Sequence, residues 1–150
     1  MIWYCDSSAL VKRYVRETGS RWFREQIGEH KRLTSSLAVA EIPAALARRK
    51  REGTISAFEF HRARTQLTRH LQSGQYVLLP AILEVINQAA LLTYRLPLAG
   101  YDAVHLATAL SYFRNGGADV TQIYFLTSDY QLQRAAETEG LKTENPNEHS

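Results

Sequence analysis

Three four-residue runs without a polar interruption, Ile2–Cys5, Tyr76–Leu79 and Ile123–Leu126, limit the possible folds more than any other feature of the chain. Each is too short for a helix, and each gives way to a segment with helical spacing of apolar residues. A strand that is apolar on both faces must be covered on both faces. Helices alternating with such strands therefore predict a parallel sheet buried between two helical layers. The more polar stretch Arg32–Ser35 is a further candidate strand.

The predicted helices follow from period and caps. Apolar residues at 10, 11, 14 and 15 place a helix directly after the first run, capped by Asp6 or Ser7. Trp22, Phe23 and Ile27 mark a second, and residues 37–50 a longer one that ends before Gly53. Pro43 lies within it and costs a helix interior about 3 kcal/mol. Either the helix begins late, with Pro43 in its first turn, or it kinks there. Further helices are expected over residues 58–71 and 82–94, from Asp102 to the stop at Asn115-Gly116-Gly117, and from Asp129 to Glu139. Residues 97–100 read as a connection. The tail over 142–150 is polar and is expected to fray, with Lys142-Thr143 able to add an edge strand. The expected fold is one three-layer α/β/α domain over residues 1–150 with a central parallel sheet.

Composition removes whole classes of function. With 45% hydrophobic and 22% charged residues the chain is neither disordered nor, lacking an apolar run near the roughly 20 residues of a bilayer span, a helical membrane protein. Its start reads as a strand rather than a signal peptide, and one cysteine, Cys5, cannot form an internal disulfide. Cytoplasm is the expected compartment. Between Ala44 and His70 seven basic residues face two acids, a local surplus of five where the whole chain carries +3. Arg48, Arg49 and Arg51 of that stretch are candidate contacts for a polyanion.

Ligands of open parallel sheets bind beyond the carboxyl ends of the strands. Asp6 follows the first run at once and Asp129 stands three residues after Leu126. Each alone, like Asp102, reads as a helix N-cap. Glu41 resists that reading. Its helical neighbours Leu37, Ala38, Ala44 and Ala45 are all apolar, and a carboxylate on an inward face is costly to bury unless it is paired or binds a metal. Clustered carboxylates repel one another, so Asp6, Glu41, Asp102 and Asp129 together suggest a site for a hard divalent cation such as Mg²⁺ or Mn²⁺. The matching chemistry is phosphodiester hydrolysis.

Four stretches carry a family resemblance: Tyr4-Cys5-Asp6-Ser7-Ser8-Ala9-Leu10-Val11-Lys12, Ala40-Glu41-Ile42, Tyr101-Asp102-Ala103-Val104-His105-Leu106-Ala107-Thr108-Ala109-Leu110 and Leu126-Thr127-Ser128-Asp129. In wording and order they resemble the four acidic motifs of PIN-domain ribonucleases, most closely the VapC toxins of toxin–antitoxin pairs. The resemblance implies that Asp6, Glu41 and Asp102 are the central ligands of Mg²⁺ or Mn²⁺ and that Asp129 completes the site. It also implies that Thr127 supports a carboxylate or a water, that the substrate is RNA, and that the chain forms a homodimer and binds a cognate VapB-like antitoxin. Ser7 is a further supporting candidate. His105 reads as a packing or hydrogen-bonding histidine, Glu84 as a first-turn acid, Asp119 as a solvated residue before its strand, and Trp22 and Phe23 as core or partner contacts. The alternatives are a PIN nuclease of RNA processing without an antitoxin, a receiver domain, which lacks its aspartate at Pro80, and a phosphatase, which lacks its second aspartate at Ser8.

Overall fold

The computed structural model describes residues 1–28, 30–116 and 122–149. Its elements are β1 (Ile2–Cys5), α1 (Ser7–Val11), α2 (Ser20–Ile27), β2 (Arg32–Ser35), α3 (Ala38–Arg51), α4 (Ala57–Gln72), β3 (Tyr76–Leu79), α5 (Leu83–Arg95), α6 (Gly100–Asn115), β4 (Ile123–Leu126), α7 (Tyr130–Thr138) and β5 (Lys142–Glu144), then a 3₁₀ turn, Pro146–Glu148. The strands form one sheet in the order β3-β2-β1-β4-β5, and every pairing is parallel. The chain builds outward from β1 to β3, then crosses back to place β4 on the other side of β1. Strand order therefore reverses between β1 and β4, where a crevice opens beyond their carboxyl ends. Among the described residues no helix is long and apolar enough to cross a membrane.

Alternation along the strands divides the core. Tyr4, Leu33, Ile123 and Phe125 face α5, α6 and α7, while Trp3, Cys5 and Leu126 face the layer of α1 to α4. The rings of Tyr4 and Phe125 stack at 5.3 Å across β1 and β4. Phe125 is wholly buried, so its truncation to alanine costs about 3–5 kcal/mol. Cys5 is buried and free, as expected of inert core. Phe23 is wholly buried, and Trp22 packs at the edge of the same cluster. Gly53, at φ +75°, takes the left-handed position that ends α3.

Local expectations are revised at α1 and α6, and the choice left open at Pro43 is settled. Helix α1 spans only Ser7–Val11, because the amides of Lys12, Arg13 and Tyr14 bond three residues back, to Ala9, Leu10 and Val11. The apolar residues at 10, 11, 14 and 15 are buried all the same. Pro43 does not mark a late start: α3 begins at Ala38 and carries the proline inside. Helix α6 begins at Gly100, where Ala103 N–H donates to the Ala99 carbonyl, so Asp102 lies in its first turn rather than at its cap.

The polar tail, expected to fray, is docked. Strand β5 extends the sheet beside β4, and Asn145 is wholly buried, donating to Gln133 Oε1 at 3.1 Å. Pro146 presses on Gly19, where an added Cβ would lie 2.3 Å from the Pro146 carbonyl oxygen at φ +81°. Trp22 stacks on His149 at 4.2 Å. These are edge contacts of polar residues, which a hydrophobic pattern does not register. Asp119 and Gly117 lie outside the described residues.

Candidate functional site

Asp6 leaves β1 with its N–H donating to the Leu126 carbonyl and caps α1 by accepting from Ala9 N–H at 3.0 Å. Its carboxylate is almost wholly buried, and Ser8 Oγ donates to both of its oxygens at 2.8 and 2.9 Å. Thr127 Oγ1, arriving from the end of β4, donates to Oδ2 at 2.8 Å. Burial raises the Asp6 pKa, opposed by the charge of His105 and by the hydrogen bonds from Ala9, Ser8 and Thr127.

Glu41 projects from the first turn of α3. Its Oε1 accepts from Ser7 Oγ at 2.8 Å and lies 2.6 Å from His105 Nε2. His105 is 1% exposed, and its Nδ1 stands 3.0 Å from the wholly buried Tyr4 hydroxyl. With Glu41 ionised, the network puts a proton on Nε2, while Nδ1 pairs with the Tyr4 hydroxyl. Burial, then the charge of Asp6, keeps the Tyr4 hydroxyl protonated. Burial alone would raise the Glu41 pKa. The bond and charge of His105, with the bond from Ser7, outweigh it, and the group lies below its usual range. The inward carboxylate thus has a partner, the buried histidine.

Asp102 has no hydrogen-bond donor among the described residues. Burial, followed by the charges of Asp6 and Asp129, pushes its pKa up to about 6. Asp129 caps α7, its Oδ1 accepting from Gln131 and Leu132 N–H at 2.8 and 3.1 Å, while its own N–H donates to Thr127 Oγ1.

All four acids line one groove of about 860 Å³ at the β1–β4 crevice. Among the described residues no three carboxylate, imidazole or thiolate groups converge to hold an ion as they stand. Their chemistry nevertheless fits a hard cation. Glu41 Oε2, Asp129 Oδ2 and both Asp102 oxygens have no protein donor among the described residues, and the mutual repulsion that raises Asp102 is what a cation would relieve.

One wall of the groove is basic. Arg51 and Arg48 line it, Arg48 with only a 3.9 Å approach to exposed Glu52. Arg49 differs, because its guanidinium is held by Glu17 Oε2 at 2.9 Å while buried Lys12 holds Glu17 Oε1 at 3.1 Å. His105 is a hydrogen-bonding histidine, as expected, and its partners lie 64 and 101 residues away. Sequence offered Ser7 as a supporting candidate, and both Ser7 and Ser8 donate to acids of the groove. It missed Asn147, which the docked tail brings into the groove wall.

Fold and groove together define an α/β domain with a carboxylate-lined crevice at the switch point of its sheet. The PIN domain family model matches residues 3–138, so the chain belongs to the PIN-domain family. PIN domains are generally nucleases and generally use divalent metal ions. The fold is similar to that of FitAcB from Neisseria gonorrhoeae (TM-score 0.62, 18% identity, covering 100% of both chains). It is similar also to VapBC2 from Rickettsia felis bound to a promoter DNA fragment (TM-score 0.61, 12% identity, covering 97% of this chain and 98% of that one). A third likeness is to a toxin–antitoxin complex from Klebsiella pneumoniae (TM-score 0.59, 14% identity, covering 95% and 96%). No curated protein matches the chain in sequence.

Proposed function

We propose that this chain is a Mg²⁺- or Mn²⁺-dependent endoribonuclease acting as the toxin of a toxin–antitoxin pair. The observation that carries the reading is that four carboxylates, from the ends of β1 and β4 and the first turns of α3 and α6, line one groove with an arginine wall. Asp6, Glu41 and Asp102 would hold the metal, with Asp129 completing the site. The cation, when bound, makes a water nucleophilic near neutral pH and stabilises the leaving oxygen.

The chain's own residues supply position and charge. Ser8 and Thr127 fix the Asp6 carboxylate, and Ser7 with His105 fixes one oxygen of Glu41 and leaves the other free. Arg48 and Arg51 draw the phosphates of a single strand along the wall. The antitoxin partner rests on the fold's likeness to two toxin–antitoxin complexes. The homodimer is supported by exposed apolar side chains on α5: Leu83, Leu91 and Tyr94.

The test is cleavage of RNA by the purified chain in EDTA, Mg²⁺ or Mn²⁺, beside Asp102→Asn. Metal-dependent cleavage lost in the variant is the expected result. Folded protein that binds metal in no condition and cuts no RNA would overturn the reading.

A further inference from the structure

The first turn of α6 sends two unlike side chains into the acid groove. Asp102 is one, and Tyr101, directly before it, is the other. Tyr101 is 60% exposed. Among the described residues its hydroxyl makes no hydrogen bond, and no ring or cation of the chain lies over its face. Phe58, Tyr94 and Tyr130 are exposed as well, yet of these four aromatic side chains only Tyr101 lines the groove.

An exposed tyrosine leaves in water a large apolar face that gains from being covered. Its backbone is fixed, because α6 begins at Gly100 and Ala103 N–H already donates to the Ala99 carbonyl. The ring therefore springs from the same rigid turn as an acid of the site. Leu37, Ala40 and Ala44 of α3 line the same groove, so part of it receives a flat, uncharged body without desolvating a charge.

The charges of the groove indicate what covers the ring. Arg48 and Arg51 attract phosphates, whereas Asp6, Asp102 and Asp129 repel an anion that brings no cation with it. The part of a nucleotide strand that suits a neutral ring is the base, which is flat and uncharged near pH 7. A single strand leaves its bases open to stack on aromatic side chains. We propose that Tyr101 is a base-stacking platform, on which a nucleobase next to the phosphate held at the acids lies flat. Ring and carboxylate then act on neighbouring parts of one strand, so the stack sets which phosphate reaches the acids. This rests on the nuclease reading above.

The test is binding by fluorescence anisotropy in Mg²⁺ at low salt, using the cleavage-silent Glu41→Gln chain with and without Tyr101→Leu. The probes are a mixed-sequence single-stranded RNA and a ribose-phosphate strand of the same length without bases. Tyr101→Leu is expected to weaken binding of the RNA about five- to twentyfold and to leave the abasic strand unchanged. Tyr101→Phe, which keeps the ring and removes the hydroxyl, should restore the affinity. Replacing Arg48 and Arg51 by glutamine should weaken both strands alike, because both carry the same phosphates. An RNA with 2-aminopurine in place of adenine should be quenched on binding by the parent and by Tyr101→Phe, and less by Tyr101→Leu. Equal losses on both strands would make Tyr101 a support of the acid site, and failure of Tyr101→Phe to restore binding would give the role to the hydroxyl; either overturns the proposal. No loss on either strand would leave the ring to a protein partner and overturn it as well. If the parent chain binds neither probe and the unmutated enzyme cuts no RNA, the nuclease reading falls with it. RNA cleavage that Tyr101→Leu leaves intact, with unchanged binding, removes only this inference.

Discussion

Asp102 is the acid of the groove that the protein does least to satisfy. Its pKa, raised to about 6 by burial and then by Asp6 and Asp129, fixes the sign of its contribution. A carboxyl group raised above its unfolded value near 3.8 stabilises the fold fully below that value, and the contribution is lost as pH rises through 6. At pH 7 without metal, the ionised group therefore destabilises the chain. Asp102→Asn should raise the metal-free melting temperature by about 3 °C, roughly 1 kcal/mol after discounting for its partial exposure. The same variant should lose most of the stabilisation that Mg²⁺ gives the parent, so metal reverses the order of the two proteins. Melting with EDTA and with Mg²⁺ checks both halves, and an Asp102→Asn chain less stable than the parent in EDTA would contradict the charge argument. His105 makes the opposite case. His105→Leu removes the donor to Glu41 and the ring nitrogen paired with the buried Tyr4 hydroxyl, so it should cost about 2–4 kcal/mol in a denaturant titration. Glu41→Gln, which keeps a hydrogen-bonding group, should cost less than half of that while abolishing cleavage. Comparable losses from the two would make the histidine a packing residue. The acids were legible in sequence because each stands where a helix begins, and Glu41 because its helical neighbours are apolar. The histidine was not, because its meaning lies in two partners that only the closed fold brings to it.

At the scale of elements, the amino ends of β2 and β3 hold a second ionisable cluster, remote from the groove. Tyr14, from the turn after α1, bonds to both His70 and Tyr76, while Arg13 and buried Arg32 lie over the Tyr76 ring at 5.7 and 5.2 Å. Burial first, then the charges of Arg13, Arg32 and Arg69, lowers the His70 pKa from 6.5 to about 4. The unfolded chain then binds more protons than the folded one between those values. The contribution is full above pH 6.5 and is lost as pH falls towards 4. A denaturant midpoint followed from pH 7 to 4 should fall, and His70→Asn should flatten that fall; an unaltered profile would place the titration elsewhere. The elements themselves were legible wherever period and burial agree, as in the four-residue strands and the helices α4 and α5. Three features were hidden for physical reasons. Bonds to the third residue back shorten α1 without changing which side chains are buried. Pro43 sits inside a helix held by the packing of Ala38, Ile42 and Leu46. The 145–149 turn is docked by polar bonds and one glycine, none of which has a hydrophobic period.

For the whole molecule, the proposed function depends on keeping two opposite charges apart on one surface. The carboxylates occupy the crevice floor, and the basic surplus of α3 and α4 lies along the wall and the outer face of that helical pair. Among the described residues Arg51, Arg62, Arg64 and Arg69 form no ion pair, whereas Arg49 is committed to Glu17. The seven-residue basic run is therefore not uniform, and salt dependence should separate its members. A single strand that loses one phosphate contact loses about 0.7 from the slope of log K against log salt. Replacing Arg48 and Arg51 together by glutamine should flatten the slope for RNA binding by about 1.4 and leave the melting temperature within a degree or two. Arg49→Gln should do the reverse, because it frees Glu17 beside buried Lys12: stability falls while the slope holds. Affinities at three or four salt concentrations, beside a melt of each variant, decide the matter. If Arg49→Gln flattened the slope as far as the double variant, Glu17 would be exchanging its arginine for the strand, and the groove wall would rearrange when RNA binds. If no variant changed the slope, the basic wall would be a solvated helix face and the strand would enter the groove by another side.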